Sequence, residues 1–293
     1  MPVYSFKRDT DLYIVYAGNK YKLAVYNDIN FSQTFSEEAV RTKTLHPSQY
    51  FEGAVITKAA PANFSFSIPL VPEHKILVDL LIGYDSEYTD LNQFDLYTQT
   101  GNDTYKISGA ILEYGRFLTS IKEVLGLSVT GTGRKLQRVG DGSYSIPGTL
   151  QPLPSQNYTL IRNIFVVING VQQDYISDIY LELKNAVEWV SNDTVQASLT
   201  VTDVTNTIYP EIFTIGGRTL NGAITQYVTS DSFLDAQSWS LNAQIYIRIG
   251  LGGHEYALQL LAPEAIFTNR TDPGDVYVQV YDFRISSDLD IAQ

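Results

Sequence analysis

The chain has no cysteine, which excludes disulfides, thiolate zinc sites and cysteine nucleophiles and leaves the redox compartment open. Histidine is almost as scarce: His46, His74 and His254 are the 3 present. None belongs to a G-x-S-x-G or H-E-x-x-H pattern, in which a base activates serine or two imidazoles grip zinc. His254-Glu255 after Gly252-Gly253 reads as a turn at a strand start and Glu37-Glu38 as solvated charge, so no catalytic residue is assigned and the chain reads as a non-enzyme. No stretch approaches the roughly 20 apolar residues that a membrane-spanning helix needs, and residues 1–11 carry no signal-peptide hydrophobic region. Positive charge is also in deficit, with 20 Lys and Arg against 32 Asp and Glu, a balance that disfavours adhesion to phosphate. The densest basic cluster, Gly131-Thr132-Gly133-Arg134-Lys135 with Arg138, lacks the Gly-Lys-Ser/Thr ending of a phosphate loop. It reads as a solvated connector or an ion-pair donor to an acidic neighbour, with a partner on another subunit as the functional version. Asp272-Pro273-Gly274-Asp275 and Asp288-Leu289-Asp290 lack calcium-loop spacing, and no metal or cofactor is expected.

What is present is a β-forming vocabulary. Tyr (21) and Phe (13) are abundant, Val, Ile and Thr recur, and helical periodicity is confined to short stretches. The same order of elements is read twice, about 150 residues apart. One copy has strands over 12–16 and 21–26 around a turn at Ala17-Gly18-Asn19, then Asp28-Ile29-Asn30-Phe31. The other has 161–168, a turn at Asn169-Gly170, then Asp178-Ile179-Tyr180-Leu181. Alternation over 63–68 leads into a short helix over 72–81, matched by 221–228 and a helix over 231–237. Strands at 94–98, 105–118 and 123–130 are matched by 242–249, 254–267 and 275–285. Turn formers gather at Gly140-Asp141-Gly142, Pro147-Gly148 and Gln151-Pro152-Leu153-Pro154. One domain is therefore expected at 1–150 and a second at 151–293, with few contacts crossing at the connector.

Several strands alternate apolar with polar, so that one sheet face packs and the other is wet. Ile29, Phe31 and Phe35 oppose Asp28, Asn30, Ser32 and Thr34, with Gln33 on the apolar parity. Phe64, Phe66 and Ile68 oppose Asn63, Ser65 and Ser67, and Ile179, Leu181 and Leu183 oppose Asp178, Tyr180, Glu182 and Lys184. Outer strands of such sheets are open edges that pairing between subunits would remove. Residues 34–62 form a polar arm too long for an ordinary hairpin loop. The corresponding stretch, 185–219, holds a strand-like 195–201 and a turn-prone Ile215-Gly216-Gly217-Arg218, so the two arms are expected to differ more than the sheets do.

Asp28-Ile29-Asn30-Phe31-Ser32-Gln33 entering the arm, Asn63-Phe64-Ser65-Phe66-Ser67-Ile68-Pro69-Leu70 entering a helix, and Phe283-Arg284-Ile285-Ser286-Ser287-Asp288-Leu289-Asp290 at the end together resemble the tail tube proteins of long-tailed bacteriophages. The resemblance covers nearly the whole chain and is closest to the duplicated kind. It implies a mainly β fold of two tandem tube-like domains, each a β-sandwich or partial barrel with one short flanking helix. It further implies three chains closing into a pseudo-hexameric ring, with rings stacked into the conduit through which DNA is ejected. On this resemblance Asp28, Asn30, Ser65, Ser67, Asp178 and Glu182 line the lumen, offering no positive charge to trap phosphate. The arm carrying Glu37, Glu38, Arg41 and Lys43 reaches the adjacent ring. The implied partners are further copies, other tail and baseplate proteins, the tape-measure protein and DNA in transit, without membrane insertion. The implied place is the virion tail, as a tube subunit or the ring at its baseplate end, assembled in the host bacterial cytoplasm. The alternative is a β-sandwich carbohydrate- or receptor-binding module of a fibre or adhesin. Against it, Trp189 and Trp239 sit singly and no loop gathers aromatics with carboxylates or amides.

Overall fold

The computed structural model describes residues 9–26, 29–40, 53–83, 91–120, 123–153, 160–190, 208–227, 243–252, 255–271, 278–285 and 290–292. Strands dominate them. Residues up to 150 supply β1 (Asp11–Tyr16), β2 (Asn19–Leu23), β3 (Asn30–Ser32), β4 (Phe35–Val40), β5 (Gly53–Ala59), β6 (Ala62–Pro69), α1 (Lys75–Ile82), β7 (Phe94–Gln99), β8 (Asp103–Ser120), β9 (Gly126–Gly133), β10 (Lys135–Asp141) and β11 (Thr149–Leu150). The remainder supplies β12 (Asn163–Ile168), β13 (Val171–Gln173), β14 (Ile176–Val190), β15 (Ile212–Tyr227), β16 (Ala243–Gly252), β17 (Glu255–Thr271), β18 (Val278–Ile285) and β19 (Asp290–Ala292). The helix expected over 231–237 and the strand expected over 195–201 lie outside the described residues.

Hydrogen-bond pairing runs β2-β1-β7-β8-β10 in one layer and β3-β6-β9-β8 in the other. β8 serves both, bending at Gly109, whose φ of 58° suits a residue without a Cβ. The later strands repeat this connectivity as β13-β12-β16-β17-β19 and β14-β15-β18-β17. Both opening hairpins turn on two residues at positive φ, Ala17 and Gly18 (48° and 78°) and Asn169 and Gly170 (50° and 79°), the type I′ geometry that matches strand twist. Leu12, Ile14, Leu96 and Ile107 join Phe64, Phe66, Leu127 and Val129 in a core that continues through Val166, Ile247, Leu260, Leu181, Ile224 and Phe283.

Irregularities coincide as well. The β8–β9 ladder slips between Leu112 and Tyr114, and the β17–β18 ladder slips between Phe267 and Asn269. The β4–β5 ladder slips between Ser36 and Glu37, the β14–β15 ladder between Ala186 and Val187. Bulges are specific one-residue events, so they align the halves residue by residue: Tyr114 with Asn269, Glu37 with Val187. At one site the halves exchange side chains. Phe64 faces Gly131 across β6–β9, whereas Gly222 faces Phe283 across β15–β18. In both cases the ring occupies the space a glycine Cβ would take.

Two expectations need correction. The polar arm expected over 34–62 holds paired strands in its described parts, β4 running antiparallel to β5. Ile215-Gly216-Gly217-Arg218 is not a turn. It lies inside β15, where Gly216 is the residue skipped by the bulge and Gly217 adopts a φ of 152°, so the described parts of the two arms share one plan. The connector lies along the first half. β11 pairs in parallel with β2, Lys20 Nζ donates to Ile146 O (3.1 Å), and Gln151 N donates to Lys20 O (2.9 Å). Gln33, polar on an apolar parity, is explained by its bonds: its amide donates to Ala60 O (2.9 Å) and Arg134 O (3.2 Å) and accepts from Leu136 N (2.9 Å).

α1 follows a 3-10 turn at Pro72–His74 and buries Ile76, Leu77, Val78, Leu80 and Leu81. His74, fully buried, joins three segments: Nδ1–H donates to Pro69 O (2.7 Å) and Nε2 accepts from Ala24 N (3.2 Å). Burial lowers its pKa against the opposing pull of the Pro69 carbonyl and Glu73. The folded state therefore resists a proton that the unfolded chain accepts. Stability from this group is present above the unfolded pKa of about 6.5 and is lost as pH falls from there toward the lower folded value. Urea unfolding at pH 7.5 and 5.5 should show a larger acid loss for wild type than for His74→Gln; equal losses would remove His74 from the account.

Candidate functional site

One face of the inner layer is polar across both halves. Opposed residues of a ladder share a face, and the registers join Asn30, Ser65, Thr130, Tyr114, Lys184 and Thr219 into one row. A second row joins Ser67, Ser128, Arg116, Glu182, Asn221 and Arg284. The step between halves is the antiparallel pairing of β8 with β14, from Tyr114 opposite Lys184 to Ser120 opposite Asp178.

Within this face Glu182 Oε2 accepts from the Tyr114 hydroxyl (3.0 Å) and from the Tyr180 hydroxyl. The Arg116 guanidinium lies over the Tyr180 ring at 4.8 Å, a favourable cation–π placement. Burial raises both phenol pKa values, followed for Tyr114 by bonding with Tyr180 and then Glu182 and for Tyr180 by bonding with Glu182, so the hydroxyls remain donors. Ser67 Oγ donates to Ser128 Oγ (3.0 Å), and Asp178 accepts from Thr225 Oγ1 (3.0 Å) and Ser177 Oγ (3.2 Å). The acids are bonded locally rather than gathered into a reactive pair.

The β14–β15 arm lies on the first half. Trp189 Nε1 donates to Thr132 Oγ1 (2.7 Å), whose hydroxyl donates to Glu113. Burial pushes the Glu113 carboxyl upward, opposed by that hydroxyl bond and by Lys184. Asn185, 2% exposed, donates to Leu81 O (3.1 Å) and Leu112 O (3.0 Å), while Arg218 Nε donates to its Oδ1 (2.8 Å) and Arg218 Nη1 to Ile82 O (2.7 Å). An amide and a guanidinium from one half thus satisfy the carbonyls at the C-terminal end of a helix in the other. Arg134 pairs with Glu211, and Lys135 Nζ sits 4.8 Å from the Tyr209 ring centroid.

The sequence matches the profile of the Bacteriophage Baseplate Tube Protein Family over residues 2–290. The chain belongs to that family. Baseplate tube proteins are structural components of the phage tail, and this chain is one of them. No curated protein matches the sequence. Among solved structures it is similar to a chain of the "Cryo-EM structure of the anti-feeding prophage (AFP) baseplate, 6-fold symmetrised", with 12% identity and a TM-score of 0.36. That match covers 49% of this chain and 99% of the other.

In this baseplate tube protein, Asn30, Ser65, Ser67, Asp178 and Glu182 come together on the polar face, while Asp28, Arg41 and Lys43 lie outside the described residues. Glu37 and Glu38 sit on β4, paired with β5. Sequence reasoning read Lys184 onto the polar face but missed Arg116 and Arg284, which share it, so it is not free of positive charge. Alternation of Tyr114, Arg116 and Leu118 against Gly115 and Phe117 was the available signal. The basic cluster is no solvated connector: Gly131 and Gly133 are packed inside β9, and Arg134 finds its acid within the chain. Trp189 is engaged between the halves against Thr132 and, at 5.3 Å between centroids, Phe213.

Proposed function

We propose that three copies of this baseplate tube protein close into a ring of six similar tube-like units, domains 1–150 and 151–293 of each chain. The polar face forms its inner wall, and DNA leaves the virion through it. The observation that supports this is the β8–β14 junction. It joins the halves edge to edge, while the equivalent edges, residues 266–271 of β17 at one end and β3 at the other, pair with one strand each among the described residues. Open edges invite a further strand, and repeating one junction with a constant turn closes a ring.

Asn30, Ser65, Ser67, Asp178 and Glu182 then face the lumen, with Asp28 beside them in sequence. Arg116 stacks on Tyr180, and Lys184 and Arg284 alternate with acids, so no continuous cationic track is offered to a polyanion. The arm tip, with Glu38, Arg41 and Lys43, projects toward the adjacent ring. Other baseplate and tail proteins and the tape-measure protein are the remaining partners. The role is structural, without catalysis, in a virion assembled in the host cytoplasm.

The bulges predict the register. Arg116 opposite Glu182 at the inner junction corresponds to Thr271 opposite Ser32 between chains. Because the chain lacks cysteine, a Ser32→Cys, Thr271→Cys double variant introduces the thiols cleanly, at the close spacing a disulfide needs. Oxidation should give covalent species ending at three chains on a non-reducing gel, with neither single variant doing so. A double variant that stays monomeric at ring-forming concentrations would defeat the reading.

A further inference from the structure

We propose that Glu37, at the base of the β4–β5 arm, forms an ion pair with Arg284 on β18 of a second copy in the same ring. The inference rests on the ring reading and names a contact that closes it. Within one chain the β14–β15 arm already shows how an arm base docks. Val187 packs on the cluster of Leu91, Ile111 and Phe213, and with Thr132 it lines a cleft of about 420 Å³.

The bulges identify the matching positions of the other arm. Glu37 follows the slip in β4–β5 as Val187 follows the slip in β14–β15. Arg284 lies opposite Asn221 and Ile266 as Thr132 lies opposite Asn63 and Ile111. Repeating the β8–β14 pairing between β17 of one copy and β3 of the next therefore brings Glu37 beside Arg284. Both are exposed in the single chain. An acid replaces a valine on the arm and an arginine replaces a threonine on the surface it meets, so the two changes complement each other in charge across the junction. Ile56, the cross-strand partner of Glu37 and 52% exposed, supplies apolar area that the same docking covers. The arm base joins copies side by side, leaving only the tip for the adjacent ring.

Charge exchange in the full-length chain tests this. Glu37→Arg alone and Arg284→Glu alone should each lower the population of three-chain rings about tenfold in mass photometry, and the double variant should restore it. Thermal unfolding of each single variant should match wild type, since both side chains are exposed. Rings indifferent to the single reversals, or not restored by the double, overturn the ion pair and leave the ring reading standing. Single variants whose rings form but no longer stack assign Glu37 to the inter-ring contact and overturn it equally. A wild-type chain that forms no rings overturns the ring reading and this inference with it.

Discussion

Gly131→Ala is expected to destabilise the protein by about 3 kcal/mol, at the upper end of the cost of forcing one methyl into a packed core. A Cβ at residue 131 would overlap both the Phe64 ring and the main-chain oxygen of Ile111. Phe64 cannot swing aside freely, because it is 2% exposed and wedged between Phe66 and Phe94, at 6.2 and 6.1 Å between centroids. Ile111 is held by the β8–β9 ladder. Shrinking the ring with Phe64→Leu should therefore fail to rescue Gly131→Ala. The second half behaves differently, since at Gly222 the three nearest atoms all belong to the Phe283 ring. There Gly222→Ala should cost roughly 1–2 kcal/mol and be largely relieved in the Phe283→Leu background. Urea denaturation of the four variants measures both effects, and a Gly131→Ala protein within about 0.5 kcal/mol of wild type, the range of a neutral surface change, would refute the steric account.

Asn185→Leu should be at least as damaging, about 3–5 kcal/mol, because it breaks a buried polar network around a charge rather than replacing the whole network. Leucine is close in volume, but it leaves Leu81 O and Leu112 O without the amide donor and removes the acceptor for Arg218 Nε. Arg218 is tied in turn to Ile82 O, so the loss reaches the end of α1. Hydrogen exchange should quicken around residues 80–83 and along the β14–β15 arm together. Quickening in the arm alone would show that the network does not couple it to the helix. Such coupling fixes how one half is set on the other, which is the curvature a ring would inherit.

Much of the fold was legible. Strand positions and faces could be read in Phe64, Phe66 and Ile68 or Ile179, Leu181 and Leu183 because alternation is a local property of extended chain. The arms were misread because Gly216-Gly217 signals a turn in isolation, whereas here the glycines fill a bulge in β15 whose partner, Ala186, lies far off in sequence. Arg116 was missed on the polar face because its neighbours there, Ser128 and Glu182, are set by pairing.

The amino-acid order by itself determined the β class, the doubled sequence of elements, the wet and packed sides of the strands, and the absence of thiol chemistry. These depend on composition and on a period of two. Tertiary structure alone decided that β8 pairs with β14 across the halves, which glycines lie under which rings, and that Asn185 of one half caps the helix of the other. Those outcomes depend on register between strands distant in the chain, and register is set by bulges and core packing that no single segment carries.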